Sequence, residues 1–183
     1  MNGKTRERKR RLFFGLPIDE ATRSAIDKAV RGPIRGRGRR VPPDNLHMTL
    51  AFLGGIEPQR LPEIEALAAG VAAEPFRMDL GRLGYWARPR VIWLAPLEVP
   101  PALLELVAEL QARLGENGLP REERPFAPHV TLVRKAGGPP AAEAIAPIPW
   151  AVDRFCLFES VSDDTGVRYV PLACWPLDGS GES

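Results

Sequence analysis

The chain has 183 residues, of which 44% are hydrophobic and 26% are charged, proportions typical of a soluble globular protein with a core of ordinary size. It lacks the roughly 18 consecutive apolar residues of a membrane span, and the apolar run at 12–16 is too short for a signal peptide, so we expect a cytoplasmic protein. The net charge of +2 conceals an asymmetry, since residues 1–40 carry a net +9 and residues 41–183 a net −7.

The sequence predicts seven strands and three helices, an order that favours an α+β protein. Residues 1–10 and 178–183 are expected to be a disordered basic tail and a polar tail. The predicted strands are 11–16, 46–53, 76–86, 90–95, 129–134, 150–160 and 167–175. The first helix begins after Asp19, a favourable N-cap, and ends at Gly32; the other helices are 58–74 and 100–118. Residues 141–144 form at most a helical turn.

Each helix has one apolar face that should pack on the sheet. The inward residues are Ala25, Ile26, Ala29 and Val30 in the first helix, Leu61, Ile64, Leu67 and Val71 in the second, and Leu103, Leu104, Val107, Leu110 and Leu114 in the third. Between the first helix and the second strand, residues 32–40 form a glycine-rich loop that contains Arg35, Arg37, Arg39 and Arg40. Basic segments of this kind attract polyanions.

The two cysteines, Cys156 and Cys174, do not make a disulfide framework, and without nearby histidines they do not make a zinc site. Both lie in predicted strands, so a bridge between adjacent strands is one alternative. In a reducing compartment we expect free, buried thiols.

Only two histidines occur in the chain, and both lie in the same tetrapeptide, His47-Met48-Thr49-Leu50 and His129-Val130-Thr131-Leu132. Side chains alternate along a strand, so in each motif the histidine and the threonine share one face while the two apolar residues point into a core. If the two strands lie across a cleft, two imidazoles and two hydroxyls face each other. The 82-residue separation suggests two similar lobes related by an internal pseudo-twofold axis.

This set of side chains suits acid–base chemistry on an anion. One imidazole can take a proton from water while the other gives a proton to a leaving oxygen, and the hydroxyls can donate to phosphate oxygens. Neither a metal nor a cofactor is required, since two histidines without a cluster of carboxylates make a poor metal site.

The two motifs and their flanks resemble the two-histidine (2H) phosphoesterases, and most closely the RNA 2′,3′-cyclic phosphodiesterases, also called LigT-like 2′-5′ RNA ligases. The resemblance covers about residues 11–177. The segments that carry it are Arg11-Leu-Phe-Phe-Gly-Leu-Pro17, Val41-Pro-Pro-Asp-Asn-Leu-His-Met-Thr-Leu-Ala-Phe-Leu-Gly54, Arg88-Pro-Arg-Val-Ile-Trp-Leu94, Arg124-Pro-Phe-Ala-Pro-His-Val-Thr-Leu-Val-Arg134 and Phe155-Cys-Leu-Phe-Glu-Ser160.

The resemblance implies a single bilobal catalytic domain over residues 11–177 with both motifs in a central cleft. It implies metal-independent hydrolysis of a 2′,3′-cyclic phosphate to a 2′-phosphate, with His47 as the general acid and His129 as the general base, an order that the near symmetry of the motifs leaves open. Thr49 and Thr131 would bind the phosphate.

Three further residues follow from the same resemblance. Arg134 would contact the substrate, which requires a bulge at the end of its strand because strict alternation turns it away from His129. Phe52 is the equivalent position after His47 and either stacks on a base or packs in the core. Arg40 stands where relatives often carry an aromatic residue, so we expect it, with the other arginines of its loop, to contact RNA phosphates near the cleft. The four tryptophans are assigned to the core or the lobe interface.

Two other functions remain open. One is hydrolysis of a different small substrate, such as an ADP-ribose cyclic phosphate or a 2′-5′ oligonucleotide. The other is a non-catalytic RNA- or nucleotide-binding module, which would not need two titratable groups. The reverse reaction, 2′-5′ ligation, is also open. Partners are expected to be RNA ends or cyclic-phosphate nucleotides, and the protein is expected to be a monomer without a membrane anchor.

Overall fold

A computed structural model describes residues 8–179, which form an antiparallel sheet and three α-helices. The strands are β1 (Arg10–Pro17), β2 (Arg39–Arg40), β3 (His47–Ile56), β4 (Phe76–Trp86), β5 (Val91–Pro96), β6 (Val130–Arg134), β7 (Ala144–Val152), β8 (Arg154–Asp163) and β9 (Gly166–Pro176). The helices are α1 (Glu20–Val30), α2 (Leu61–Ala69) and α3 (Pro101–Glu116). The predicted α+β class is confirmed.

Two motif strands lie side by side at the centre of this sheet, whose order is β7-β4-β5-β6-β3-β1-β8-β9, with β2 paired to β6. Around the centre, the unit β1-α1-β3 in one half matches β5-α3-β6 in the other, since in both a helix connects two neighbouring antiparallel strands. The outer strands are reached by different connections, because β8 and β9 follow both motifs in the chain while β4 precedes the second. The internal similarity is therefore limited to the inner units and the symmetric strand order.

Both motif strands carry a β-bulge immediately after the threonine. The register of β3 against β1 advances from Thr49 to Ala51 over one residue of β1, and the register of β6 against β5 advances from Thr131 to Val133 over one residue of β5. Leu50 and Leu132 are the extra residues, and both are buried. Because of the extra residue, the third residue after each threonine lies on the same sheet face as that threonine. These residues are Phe52 in β3 and Arg134 in β6.

The apolar residues of both motifs join a core that extends across the sheet. Met48, Leu50, Val130 and Leu132 are at most 2% exposed, as the alternation pattern predicts. Ile26, Ile64 and Leu110 from the three helices belong to the same core. Asp19 is the N-cap of α1, because its carboxylate accepts a hydrogen bond from the Thr22 amide at 2.9 Å.

The second helix is shorter than predicted, and the third presents a different face. Helix α2 ends at Ala69 rather than at residue 74, with Gly70 as its C-cap. In α3, Leu104 is 47% exposed and Leu106 is buried in its place. Ala25 of α1 is exposed, whereas Thr22 is buried.

The prediction for residues 141–160 is wrong in two respects. Residues 144–152 form the edge strand β7, paired with β4, whereas at most a helical turn was expected at 141–144 and no strand before residue 150. The strand predicted at 150–160 is the end of β7 followed by β8, with a break at Asp153. Strand β2 also lies inside the predicted loop 32–40.

The expectation of free thiols is also wrong. Cys156 of β8 and Cys174 of β9 are directly opposite each other in the antiparallel register, with their Cα atoms 4.0 Å apart, and they form a disulfide. The antiparallel register of β8 and β9 thus brings the two sulfur atoms together, with Cys156 buried and Cys174 exposed.

The two ends of the chain are described only in part. Strand β1 begins at Arg10, within the predicted disordered tail, and the Arg10 guanidinium donates to both oxygens of Glu159 at 3.0 and 2.6 Å. The rest of the predicted tails, residues 1–7 and 180–183, lies outside the described residues. Within residues 8–179, no helix is long and apolar enough to cross a membrane.

Candidate active site

The sheet register brings the two His-x-Thr motifs face to face. Strands β3 and β6 pair in antiparallel fashion at Met48 and Val130. Continued by one residue in each direction, this register places His47 across from Thr131 and His129 across from Thr49. All four side chains line one cleft with a volume of about 480 Å³. The predicted pairing of the two motifs across a cleft is therefore present.

Each histidine is held by a backbone carbonyl two residues upstream. His47 Nδ1 lies 2.7 Å from the Asn45 carbonyl oxygen, and His129 Nδ1 lies 2.7 Å from the Ala127 carbonyl oxygen. A carbonyl only accepts, so Nδ1 must carry the hydrogen in both rings. In the neutral imidazole, Nε2 is then left with the lone pair that a general base requires.

The two histidines differ at Nε2. His47 Nε2 lies 3.1 Å from Thr49 Oγ1, so the hydroxyl donates to the neutral ring and would accept from the protonated one. Within the described residues, no hydrogen bond joins His129 to Thr131. The near symmetry of the two motifs is therefore broken at the atom that exchanges protons.

Both imidazoles favour their neutral forms in the free protein. Burial lowers the pKa of His47 to about 4, against the opposing effect of the Asn45 carbonyl, and the charges of Arg134 and His129 lower it further. Burial also lowers the pKa of His129, again opposed by a carbonyl (Ala127) and reinforced by Arg134. The arrangement is suited to an anionic ligand, whose charge would favour the protonated ring.

Asn45 fixes the carbonyl that holds His47. Its side chain is buried, donates to the Val167 carbonyl at 2.7 Å and accepts from the Tyr169 amide at 3.2 Å. These bonds attach the turn before β3 to strand β9. Sequence reasoning did not select Asn45, because it lies in the short 3-10 turn Pro43–Asn45 before β3, where strand alternation does not apply.

Aromatic side chains form the walls of the cleft. Phe13 and Tyr169 pack against His47 with ring centroids 4.9 and 4.7 Å away. Trp86 packs edge-on against His129 at 4.5 Å. The assignment of all four tryptophans to the core or lobe interface is thus wrong for Trp86, which lines the cleft, while Trp150 is fully buried. No periodicity at the end of strand β4 distinguished Trp86.

The structure places Phe52 and Arg134 at equivalent positions in the cleft. Each stands three residues after the motif threonine and beyond the bulge, and both side chains line the cleft. Phe52 is 56% exposed, so it is not a core residue. The bulge that Arg134 requires is present.

A second cavity of about 750 Å³ opens beside the cleft. Thr49, Phe52, Trp86 and His129 line both spaces. Its other side is formed by α3, including the exposed Leu104, and by residues 122–127. The site therefore has room for more than one nucleotide-sized group next to the histidine pair.

Arg40 does not line the cleft. Its guanidinium lies 2.7 Å from the Asp27 carboxylate on α1. Arg40 pairs with Val133 in the β2–β6 register, and Val133 is buried, so Arg40 is on the face away from the histidines. We therefore exclude Arg40 from the substrate-binding residues proposed below. Within residues 8–179, no group of three or more His, Cys, Asp or Glu residues is placed to hold a metal ion.

The fold and the paired histidines in its cleft are the features expected of a two-histidine phosphoesterase. Comparison of the sequence with known proteins gives the same class. Residues 18–164 match the model of the 2′-5′ RNA ligase superfamily. The RNA 2′,3′-cyclic phosphodiesterase of Escherichia coli K12 is 34% identical over 175 residues, which cover 91% of this chain and 96% of that protein. The enzyme of the same name from Thermus thermophilus is 36% identical over 184 residues, which cover 92% of this chain and 91% of that protein.

Solved structures give the same result. E. coli LigT complexed with 3′-AMP superimposes with a TM-score of 0.85 at 32% identity, covering 93% of this chain and 99% of that one. Apo E. coli LigT superimposes with a TM-score of 0.83 at 33% identity, covering 94% and 99%. The chain belongs to the 2′-5′ RNA ligase superfamily, which confirms the resemblance found in the sequence.

Proposed function

We propose that this protein is a metal-independent RNA 2′,3′-cyclic phosphodiesterase that opens the cyclic phosphate to a 2′-phosphomonoester. The observation that carries the proposal is the pair of imidazoles in one cleft, each with Nδ1 on a backbone carbonyl and each across from a threonine. The names of the relatives from E. coli and T. thermophilus support the same reaction.

In the proposed reaction, water attacks the phosphorus as His129 Nε2 takes its proton. The bond between phosphorus and the 3′ oxygen breaks, and protonated His47 gives its Nε2 proton to that oxygen. The product carries a 2′-phosphate and a free 3′-hydroxyl, and each histidine returns to its starting state by exchanging one proton with solvent. Each proton transfer contributes typically 10²–10⁴ in rate.

The remaining side chains act on the charge of the phosphate. Thr49 and Thr131 donate to its non-bridging oxygens, and the Arg134 guanidinium stabilises the negative charge that grows there. Protonated His47 no longer accepts a hydrogen bond at Nε2, so the Thr49 hydroxyl hydrogen that the neutral ring accepts is freed for the phosphate. Phe52 is the proposed stacking partner for a base.

The test is an assay in EDTA with 2′,3′-cyclic nucleotides and an oligonucleotide that ends in a cyclic phosphate, with the product identified by ³¹P NMR. A 2′-phosphate is expected, and His47→Ala and His129→Ala should each lower kcat by at least about 10²-fold. Gln59→Ala, an exposed turn residue outside the cleft, is the control.

Other outcomes would redirect the proposal. Activity that survives the loss of either histidine, or that EDTA abolishes, contradicts this mechanism. Binding without turnover would favour the non-catalytic module. Turnover of an ADP-ribose cyclic phosphate or a 2′-5′ oligonucleotide, but not of a 2′,3′-cyclic end, would favour the alternative small substrates.

A further inference from the structure

Two arginines face each other across neighbouring strands at the end of the cleft. Arg39 of β2 is the direct partner of Arg134 of β6 in the antiparallel register. Residues directly opposite share a face of the sheet, so Arg39 lies on the cleft face with Arg134, unlike its neighbour Arg40. Like charges at such positions destabilise a sheet, and within residues 8–179 neither arginine has an ion-pair partner.

The backbone on either side of Arg39 packs closely against residues 132–137. Gly38 has φ +150°, and a Cβ there would lie 2.9 Å from the carbonyl oxygens of both Arg134 and Lys135. Val41 donates to the Leu132 carbonyl at 2.8 Å, and Gly137 donates to the Arg37 carbonyl at 2.8 Å. Only glycine at position 38 allows this approach.

The Arg39 guanidinium reaches the rim of the cleft. A Cβ on Gly166, at the start of β9, would lie 3.2 Å from Arg39 Nη2. The next residue, Val167, lines the cleft. The guanidinium therefore stands between strand β2 and the wall opposite Trp86, beside the space that holds the histidine pair.

The surface beyond Arg39 is basic in three segments without carboxylates, whereas the β8–β9 turn beside Arg39 carries Asp164 and Asp163, of which Asp163 pairs with Arg168 at 3.2 Å. Residues 33–41, 86–92 and 130–142 meet here, since Ala136 and Arg90 exchange backbone and side-chain hydrogen bonds. The cations of these segments, other than Arg40, are Arg35, Arg37, Arg39, Arg88, Arg90, Arg134 and Lys135. Positive charges that extend away from a phosphate-binding site are suited to binding the successive phosphates of a nucleic-acid backbone.

We propose that Arg39, together with Arg134, binds the phosphodiester on the 5′ side of the terminal nucleoside, and that the protein therefore prefers RNA strands to cyclic mononucleotides. The inference rests on the proposed function. In an RNA that ends in a 2′,3′-cyclic phosphate, every other phosphate lies on the 5′ side of the terminal ribose. A second anion site beside the cleft would therefore be filled by a strand and left empty by a cyclic mononucleotide. The bound phosphate would reduce the repulsion between the two guanidinium groups of the free protein.

Arg39→Gln and Arg40→Gln form a matched pair for the test, because the two residues are adjacent and exposed but lie on opposite faces. The measured quantity is kcat/KM for a cyclic-ended hexanucleotide divided by kcat/KM for the cyclic mononucleotide that lacks a 5′-phosphate. We expect the wild-type ratio to exceed one and Arg39→Gln to lower it about tenfold, through KM, as for loss of a hydrogen bond between charged groups. Arg40→Gln should retain the wild-type ratio.

The salt dependence gives a second readout. The slope of log(kcat/KM) against log[salt] for the hexanucleotide should become shallower by about 0.7 in Arg39→Gln, as expected when one phosphate contact on a single strand is lost. A wild-type ratio near one, an equal fall for both substrates, or an equal effect of the two variants would overturn the proposal.

Failure of the proposed function would be recognisable separately. If the wild-type protein hydrolyses no cyclic phosphate, binding of a 3′-phosphorylated hexanucleotide measured by fluorescence anisotropy replaces turnover. Arg39→Gln must then weaken binding about tenfold relative to Arg40→Gln. Equal affinities of the two variants would refute the role of Arg39 whatever the reaction.

Discussion

At the scale of single residues, the strand face on which a charged side chain lies decides whether it is on the same side of the sheet as the cleft. Arg39 and Arg40 are adjacent and of the same type, yet Arg39 lies on the sheet face that carries Arg134 and Arg40 pairs with Asp27. The sequence could not distinguish them, because a two-residue strand in a glycine-rich loop has no periodicity to read. The histidines and threonines were predictable, since each motif is long enough for alternation to fix its face.

The charge of Arg134 should contribute to the pH dependence of catalysis, in addition to burial, which is the main cause of the lowered pKa values of both histidines. Because this cation lowers the pKa values of both His47 and His129, its removal should raise both. The profile of kcat/KM against pH, which reports the free protein, should therefore move to higher pH in Arg134→Gln. Arg134→Lys keeps the charge and should keep the wild-type profile, and an unmoved profile in Arg134→Gln would show that the charge has no such influence.

Asn45 is a positioning residue for His47, and its loss should affect both stability and proton transfer. Asn45→Ala leaves the Val167 carbonyl and the Tyr169 amide without their partner, which should lower the free energy of unfolding by about 1–3 kcal/mol. The carbonyl that holds His47 should also move, so kcat should fall and the pH profile should shift. Urea unfolding and the pH profile measure the two effects.

A second asparagine provides the control. Asn117→Ala removes an exposed side-chain bond to the Arg113 carbonyl and should change the free energy of unfolding by less than about 0.5 kcal/mol. If Asn45→Ala lowers the free energy of unfolding no more than Asn117→Ala does and leaves the pH profile unchanged, the bonds of Asn45 to β9 do not position His47.

At the scale of strands and helices, the sequence predicted elements with clear periodicity and missed those whose pattern is set by their neighbours. Strand β7 contains Pro147 and Pro149, which argue against a strand in the middle of a sheet. They are tolerated because β7 is an edge strand, paired only with β4. Helix α2 ends before Gly70, a C-cap glycine, whereas the prediction extended the helix to residue 74 because the apolar periodicity continues to Val71.

The disulfide should stabilise the β8–β9 hairpin, which carries Tyr169 against His47. Cys156 and Cys174 are 18 residues apart in the chain, and reduction of a bridge that closes such a loop should lower the free energy of unfolding by about 3 kcal/mol. Urea unfolding with and without dithiothreitol measures the difference. The variant Cys156→Ala/Cys174→Ala should not respond to the reductant.

The pairing itself can be tested directly. The intact mass of the unreduced protein should be lower than that of the reduced protein by two hydrogen atoms. Two thiols that react with an alkylating agent in the unreduced, unfolded protein would show that the cysteines are free, as the sequence alone suggested.

At the scale of the whole molecule, two halves meet where Met48 of β3 pairs with Val130 of β6. The repeat of His-x-Thr predicted two related halves, and the inner strand–helix–strand units agree with that expectation. The outer strands do not, because β8 and β9 return to the first half from the end of the chain. Chain connectivity over such distances leaves no trace in local sequence.

Folding around a neutral His47 should make the whole molecule sensitive to acid. The pKa of His47 is about 4 in the folded protein and near 6.5 in the unfolded chain, so its contribution to stability is complete above pH 6.5 and is lost as the pH falls towards 4. The loss should reach about 3 kcal/mol at most. Unfolding by urea across this pH range measures it.

His47→Gln provides the comparison, because glutamine does not titrate. The difference between the free energies of unfolding of the wild type and of this variant should shrink as the pH falls from 6.5 to 4. A difference that stays constant over this range would contradict the burial of a neutral imidazole at position 47.

The pairing of Met48 with Val130 also bears on how this kind of protein can diversify. The reactive side chains stand on either side of that pair, so their spacing is set by main-chain geometry at the middle of the sheet. Four residues of the segment that leads into β6 line the neighbouring cavity without setting that spacing, namely Glu122, Arg124, Pro125 and Phe126. Directed evolution for new substrates should therefore accept exchanges at these four positions while the catalytic rate on a minimal substrate is preserved.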